Sequence, residues 1–290
     1  MAGSILIMGA TGNVGGATLA ALRESGVGAI AFVRDAQRAA GLLGADQPVR
    51  VGDLGDASSV AAALDGIERV LLCSGNDPPL RDQQLNAVAA IAASDVERVV
   101  KVSASPVATR SDSPSRVGRD HAAIEEALRA TGRDVVAIRP NVFMQSFFAQ
   151  GTAIANGVLP GPERGWVSFI DARDVGRTAA LALTSDRVPA ALLELTGSEA
   201  FTWFEVAELM TGALGRAITH VVTPTDAFAQ GMRALGRPEW MIEHVLELAV
   251  LMSEPKAAEV TNAVEQVTGQ PPRTLTEFLT ENAAVFLAAA

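Results

Sequence analysis

The amino-acid sequence predicts an α/β fold: a doubly wound parallel sheet joined to a smaller, mainly helical C-terminal lobe. Two observations carry this. Short runs rich in Val, Ile, Leu and Ala recur through the first half, each followed by a stretch with helical spacing. The runs are apolar almost throughout rather than alternating, which is the pattern of strands buried on both faces. Strand–helix alternation with right-handed crossovers places helices on both sides of such a sheet.

The elements follow in order. Residues 4–8 read as a strand and 14–24 as a helix; 29–33 is the second strand, with a short helix through Leu43. Residues 49–51 and 69–72 are strands, followed by helices over 58–64 and 80–93 respectively. The fifth strand is 98–102, its helix 119–130, and a sixth strand over 135–138 is ended by Pro140. Beyond it, 167–170 and 192–195 read as strands, with a helix from about Asp174 to Leu183 between them. Thr202 with Glu205, and Thr274 with Glu277, have capping-box spacing ahead of apolar runs. Gly- and Pro-containing stretches at 157–165, 236–238 and 269–272 read as separators. Residues 1–140, completed by about 166–200, are therefore expected to form the sheet domain. Residues 141–165 and 201–290 are expected to form a lobe over its C-terminal edge.

Composition bounds the function. With 290 residues and 49% apolar side chains, a large core is expected and disorder is not. The formal charge of −10 argues against nucleic acid as a partner. The single cysteine, Cys73, rules out an intrachain disulfide and fits a reducing compartment. The N-terminus lacks the basic head and apolar run of a secretory leader. No apolar run approaches the roughly 20 residues that span a bilayer. A cytoplasmic protein without membrane contact is expected; monomer and homodimer both stay open.

The strongest motif is Gly9-Ala-Thr11-Gly12-Asn13-Val14-Gly15, between a strand and a helix. One glycine allows the tight turn, another lets backbone approach a pyrophosphate, and Gly15 lets the helix pack close to the strand. Free N–H groups at the helix start then receive negative charge. This makes the sheet a Rossmann-type dinucleotide site. At the end of the second strand, where NAD-binding chains place an acid for the ribose 2′-hydroxyl, Val33 is followed by Arg34. A guanidinium pairs with a 2′-phosphate, and Arg38, one turn on, adds a second cation. The expected cofactor is NADP(H). Asp35 weighs slightly against this unless it caps the next helix. Asp53, ahead of Leu54, suits either the adenine amino group or a turn. Ser74 and Gly75 after the fourth strand let backbone come near the cofactor.

These pieces resemble an atypical short-chain dehydrogenase/reductase of the NmrA-like group. The resemblance also rests on His121-x-x-x-Glu125, Ile138-Arg-Pro140-Asn-Val-Phe143, Phe169-Ile-Asp-Ala-Arg-Asp-Val175 and Thr268-Gly-Gln-Pro-Pro-Arg-Thr274. That group includes NADPH quinone oxidoreductases of the second type, triphenylmethane and azo-dye reductases, and redox-sensing regulators. The resemblance implies an NADP(H)-binding sheet and a cleft beneath a small C-terminal lobe, with Pro140 on its cofactor side.

The chain departs from the superfamily's Tyr-x-x-x-Lys pair. Val117 and His121 occupy those positions, no tyrosine exists anywhere, and neither lysine, Lys101 in a strand or Lys256 near the C-terminus, is expected to help. Hydride transfer survives this loss if the acceptor is an electron-poor quinone, enone, imine or dye whose product anion is stable. His121 has three readings: a contact to the nicotinamide ribose, a catalytic acid, or a helix-face histidine bonded to backbone. Glu125 reads as structural, and Asp171 and Asp174 as helix-start caps rather than acids. Ser103 and Ser105 either touch nicotinamide or substrate, or bond within their turn. Phe143 and Phe147, with Trp166, are candidate walls of an apolar substrate pocket, against ordinary packing. No cluster has metal-ligand spacing. Two functions follow: an NADPH-dependent oxidoreductase for a small apolar acceptor, or a non-catalytic NADP(H) sensor. An epimerase with trapped cofactor is a distant third, because it would use the absent tyrosine.

Overall fold

A computed structural model describes residues 4–185 and 188–288. The strands are β1 (Ile5–Met8), β2 (Ile30–Val33), β3 (Val49–Val51), β4 (Arg69–Leu72), β5 (Arg98–Val102), β6 (Asp134–Pro140), β7 (Val158–Gly161), β8 (Leu192–Leu195) and β9 (Thr219–Val222). Around the main sheet lie α1 (Asn13–Glu24), α2 (Ala36–Leu43), α3 (Ala57–Ala63), α4 (Leu80–Ala92), α5 (Arg116–Ala130) and α7 (Ala172–Thr184), while α6 (Gly151–Ala155) packs in the lobe. The remaining helices are α8 (Trp203–Leu214), α9 (Thr225–Ala234), α10 (Glu239–Met252), α11 (Ala263–Thr268), α12 (Leu275–Glu281) and α13 (Ala283–Ala288).

Seven strands form one sheet in the order β3-β2-β1-β4-β5-β6-β8. Every pairing in it is parallel, from Leu6 opposite Ile30 to Ile138 opposite Leu193. Strand side chains alternate between faces. Ile5, Ile7, Leu71, Val100, Val136 and Ile138 therefore pack under α1 and α7, whereas Leu6, Met8, Val70, Leu72 and Val99 pack under α3, α4 and α5. The order reverses between β1 and β4, which opens a crevice beyond the carboxyl ends of those strands.

The second half departs from the sequence reading in two places. Residues 167–170 do not make a strand; they form only isolated bridges, Val167 with Phe201 and Phe143 with Ile170. Residues 158–161, inside a stretch read as a separator, are β7, which pairs in parallel with β9 to make a second small sheet. Gly161 belongs there because a Cβ at that position would lie 2.8 Å from the Trp203 ring. The two capping boxes are present, Thr202 with Glu205 on α8 and Thr274 with Glu277 on α12. A third core joins Phe147, Phe169, Trp203, Met210, Phe278 and Phe286 in the lobe.

Candidate active site

The phosphate-binding turn follows directly from its glycines. Gly9 has φ +72°, a backbone region glycine favours, and a Cβ there would also meet the Cys73 carbonyl oxygen at 2.6 Å. A Cβ on Gly15 would lie 2.2 Å from the Gly9 carbonyl oxygen, so only glycine lets α1 start this close to β1. Gly12 caps α1 without a side-chain hydrogen bond, and no acidic residue occupies the first turn. The amide groups at the start of α1 are thus left for an external anion, at the end of the helix where its dipole is positive.

A cleft of about 660 Å³ passes over this turn and runs along the carboxyl edge of the sheet to both sides of it. Gly9, Thr11, Gly12, Asn13 and Val14 line it, followed by Arg34, Asp53, Leu54, Ser74 and Gly75. Ser103, Ser105, His121, Pro140 and Phe143 line its other end. Gly15 stays behind the turn, where its role is packing. Arg38 is exposed outside the cleft, and its backbone N–H bonds the Asp35 carboxylate, which caps α2. The Asp53 carboxylate accepts from Gly55 N–H at 2.7 Å and so shapes the turn it sits on. Ser74 Oγ accepts from Gln84 Nε2 at 2.8 Å.

Two residues expected at the substrate end do not line the cleft. Phe147 is fully buried in the lobe, 5.0 Å between centroids from Phe169 and 6.1 Å from Trp203. Trp166 is half exposed elsewhere on the surface. Helical turns direct only one phenylalanine of the cluster, Phe143, toward the cleft. Ser146, His244 and Leu248 line it as well and were missed by sequence reasoning. The last two come from α10, a helix that carries none of the motifs, and only tertiary packing brings them there. The loop between β5 and α5 holds α10 in place: Arg110 forks onto Glu254 at 2.9 and 3.1 Å, and Glu247 accepts from Arg116 N–H at 3.1 Å.

The chief correction concerns Lys101. It was not expected to help because it lies in a strand, yet its Nζ sits 2.9 Å from His121 Nδ1 and also donates to the Val102 carbonyl. The signal was available: alternation with Val99 points Lys101 at the α5 face, where His121 lies. Burial lowers the Lys101 ammonium from 10.5 to about 7, partly opposed by Cys73 and Glu125. Burial also drives the His121 imidazolium well down, helped by Lys101, His244 and Arg116. The ring is neutral at physiological pH. While Lys101 is an ammonium it only donates, so in that state Nδ1 accepts and the ring proton sits on Nε2.

Glu125 and both aspartates are structural. Burial raises the Glu125 carboxyl, but the Arg139 fork at 2.6 and 3.0 Å and the Ser103 hydroxyl outweigh it and hold the group low. Asp171 caps α7 through Arg173 N–H. Asp174, in the first turn of α7, accepts from Arg273 N–H at 2.8 Å. Among the described residues, no three His, Cys, Asp or Glu side chains converge to hold a metal. Nor is any helix long and apolar enough to cross a membrane.

A seven-stranded doubly wound sheet whose α1 start presents uncapped amides at its switch point defines a dinucleotide-binding protein. The chain belongs to the NAD(P)H-binding family, whose model matches residues 9–186. It is 31% identical to the NAD(P)H azoreductase of Xenophilus azovorans, over 98% of this chain and 100% of that protein. It is 30% identical to the (4-alkanoyl-5-oxo-2,5-dihydrofuran-3-yl)methyl phosphate reductase of Streptomyces griseus, over 97% of this chain and 99% of that one. Its fold is that of the NADPH-dependent quinone oxidoreductase of Escherichia coli solved with NADPH, with TM-score 0.84, 24% identity and coverage of 96% and 99%. The NmrA-like resemblance holds.

Proposed function

We propose that this protein is an NADPH-dependent reductase of small, flat, electron-poor acceptors: azo compounds, quinones, imines or activated alkenes. The observation that carries the reading is the continuity of one cleft. It runs from Arg34 at the end of β2, past the α1 amides, to a pocket bounded by His121, Phe143, Ser146 and His244. The α1 amides suit the pyrophosphate, and Arg34 suits a 2′-phosphate. Asp53 lies beyond Arg34 at the end of β3, Ser74 and Ser103 flank the path from the α1 amides toward the acceptor pocket, and Pro140 borders its inner end. When bound, NADPH supplies a hydride. The protein's contribution is to hold both reactants in register and to exclude water from between them.

Two relatives support the acceptor class by name, one reducing azo compounds and the other a 5-oxo-2,5-dihydrofuran. Phe143 offers an apolar wall, and Ser105 or Ser146 a hydroxyl for an acceptor heteroatom. The test is the loss of NADPH absorbance against a panel of azo dyes, quinones, imines and α,β-unsaturated lactones, run in parallel with NADH. Turnover with a preference for NADPH supports the reading. Tight NADPH binding with no oxidation by any acceptor favours a redox sensor instead, a reading motivated by the missing tyrosine.

A further inference from the structure

Lys101 is a buried cation with no carboxylate of its own. The groups facing it are Cys73 at the end of β4 and His121 and Glu125 on α5. Glu125 is already forked to Arg139 of β6. Around His121, the other ionisable neighbours are Arg116 on α5 and His244 on α10. With Lys101 protonated, the arrangement is an ammonium donating to a neutral imidazole whose ring lines the cleft. Such an interaction places a mobile proton one ring away from the acceptor pocket.

We propose that Lys101 and His121 together are the proton source for reduction: His121 is the catalytic acid at the acceptor, and Lys101 is the positioning residue that holds the proton behind it. The inference rests on the reductase reading. As hydride from bound NADPH reaches the acceptor, the electron pair it brings leaves an oxygen or nitrogen anion. The His121 Nε2–H bond breaks and a new O–H or N–H bond forms on that atom. In the same relay a Lys101 N–H bond breaks and its proton passes to His121 Nδ1. The products are the reduced acceptor, NADP⁺, a neutral Lys101 amine and His121 in its Nδ1–H form. A solvent proton taken up at Nε2 runs the relay backward and restores the ammonium. A low-pKa lysine suits this cycle because it gives up its proton near neutral pH. The pair thereby replaces a tyrosine with two groups from different elements.

The test uses the full chain and two variants, Lys101→Gln and Lys101→Met. Glutamine still donates a hydrogen bond to Nδ1 but carries no transferable proton; methionine removes both. In wild-type protein without cofactor, nitrogen NMR of labelled histidine is expected to show the Nε2–H form of His121, with an inflection near pH 7 as Lys101 titrates. Both variants lose that inflection. With azo or imine acceptors, kcat is expected to fall about 100-fold in Lys101→Gln with KM little changed. The decline of wild-type activity above pH 7 should vanish with it. Quinones, whose product anions are stable, should lose much less. A flat His121 resonance in the wild type, or a Lys101→Gln enzyme that keeps the wild-type rate and alkaline decline, overturns the proposal. Failure of the wild type to oxidise NADPH with every acceptor overturns the reductase reading and the delivery step with it, and the NMR inflection still decides whether the two residues share a proton.

Discussion

At the scale of single residues, charge placement governs both selectivity and stability. Arg34 lines the cleft beside the end of β2, and a guanidinium–phosphate contact contributes roughly 1.5–3 kcal/mol. Arg34→Ala is therefore expected to weaken NADPH binding by about 10- to 100-fold and to leave NADH binding nearly unchanged, as read by nucleotide fluorescence. Equal losses for both cofactors would place the 2′-phosphate elsewhere. Lys101 makes a different prediction. Its fall from 10.5 to about 7 corresponds to a penalty of ~5 kcal/mol on the folded state, at about 1.4 kcal/mol per unit. Below pH 7 the folded chain bears this penalty in full. Between 7 and 10.5 the folded lysine is neutral while the unfolded one is charged, so stability rises with pH. Losing the partner of His121 Nδ1 costs about 1–3 kcal/mol in return. Lys101→Met should thus be more stable than wild type at pH 7 in denaturant unfolding, with the gap narrowing toward pH 10. A less stable variant at pH 7 would show that the lysine sits there without strain. Residues on the glycine turn were legible because their motif is local. Lys101 and His244 were not, since each reaches the site through a partner distant in sequence.

At the scale of elements, close approach is the recurring device. Gly15 presses α1 against the turn, and Gly176 presses α7 against α1, where a Cβ would lie 2.5 Å from the Ala17 Cβ. Overpacking of this kind costs typically about 1–3 kcal/mol. Gly176→Ala is expected to lower the melting temperature while leaving the NADPH affinity of the folded protein within about twofold, because the contact lies on the outer side of α1. A large affinity loss would mean that α1 transmits the shift to its phosphate-facing end. The strands of the main sheet were readable because they are apolar runs bounded by helices. β7 was not, because its Val-Leu-Pro-Gly sequence carries turn residues in a strand that pairs on one side only. Residues 167–170 have the composition of a strand but no continuous partner, so composition misled.

At the scale of the whole molecule, the end of the cleft proposed for the acceptor is bordered by α10, which contacts the β5–α5 loop. Val107 and Ala108 pack on Leu251 and Ala257, and Arg110 and Glu254 lock the contact. Arg110→Ala should raise the acceptor KM several-fold with NADPH affinity unchanged, since exposed pairs contribute only about 0.2–1 kcal/mol to folding. No change in KM would mean that apolar packing alone holds α10. The sequence indicated a lobe over the sheet edge but not which helix of it reaches the site, because α10 carries no motif.

The covering of the sheet also has a consequence for how the chain is made. One face of β1, β4, β5 and β6 is roofed by α1 together with α7, and α7 is itself fastened to Arg273 and Glu281 near the C-terminal end. A ribosome delivers β6 before α7, and Arg273 and Glu281, which clasp α7, later still. Until then the nascent sheet carries an apolar face that α1 alone covers in part. A nascent chain stalled after β6 should therefore recruit holding chaperones, and one stalled after Glu281 should recruit fewer, because α7 then buries that face.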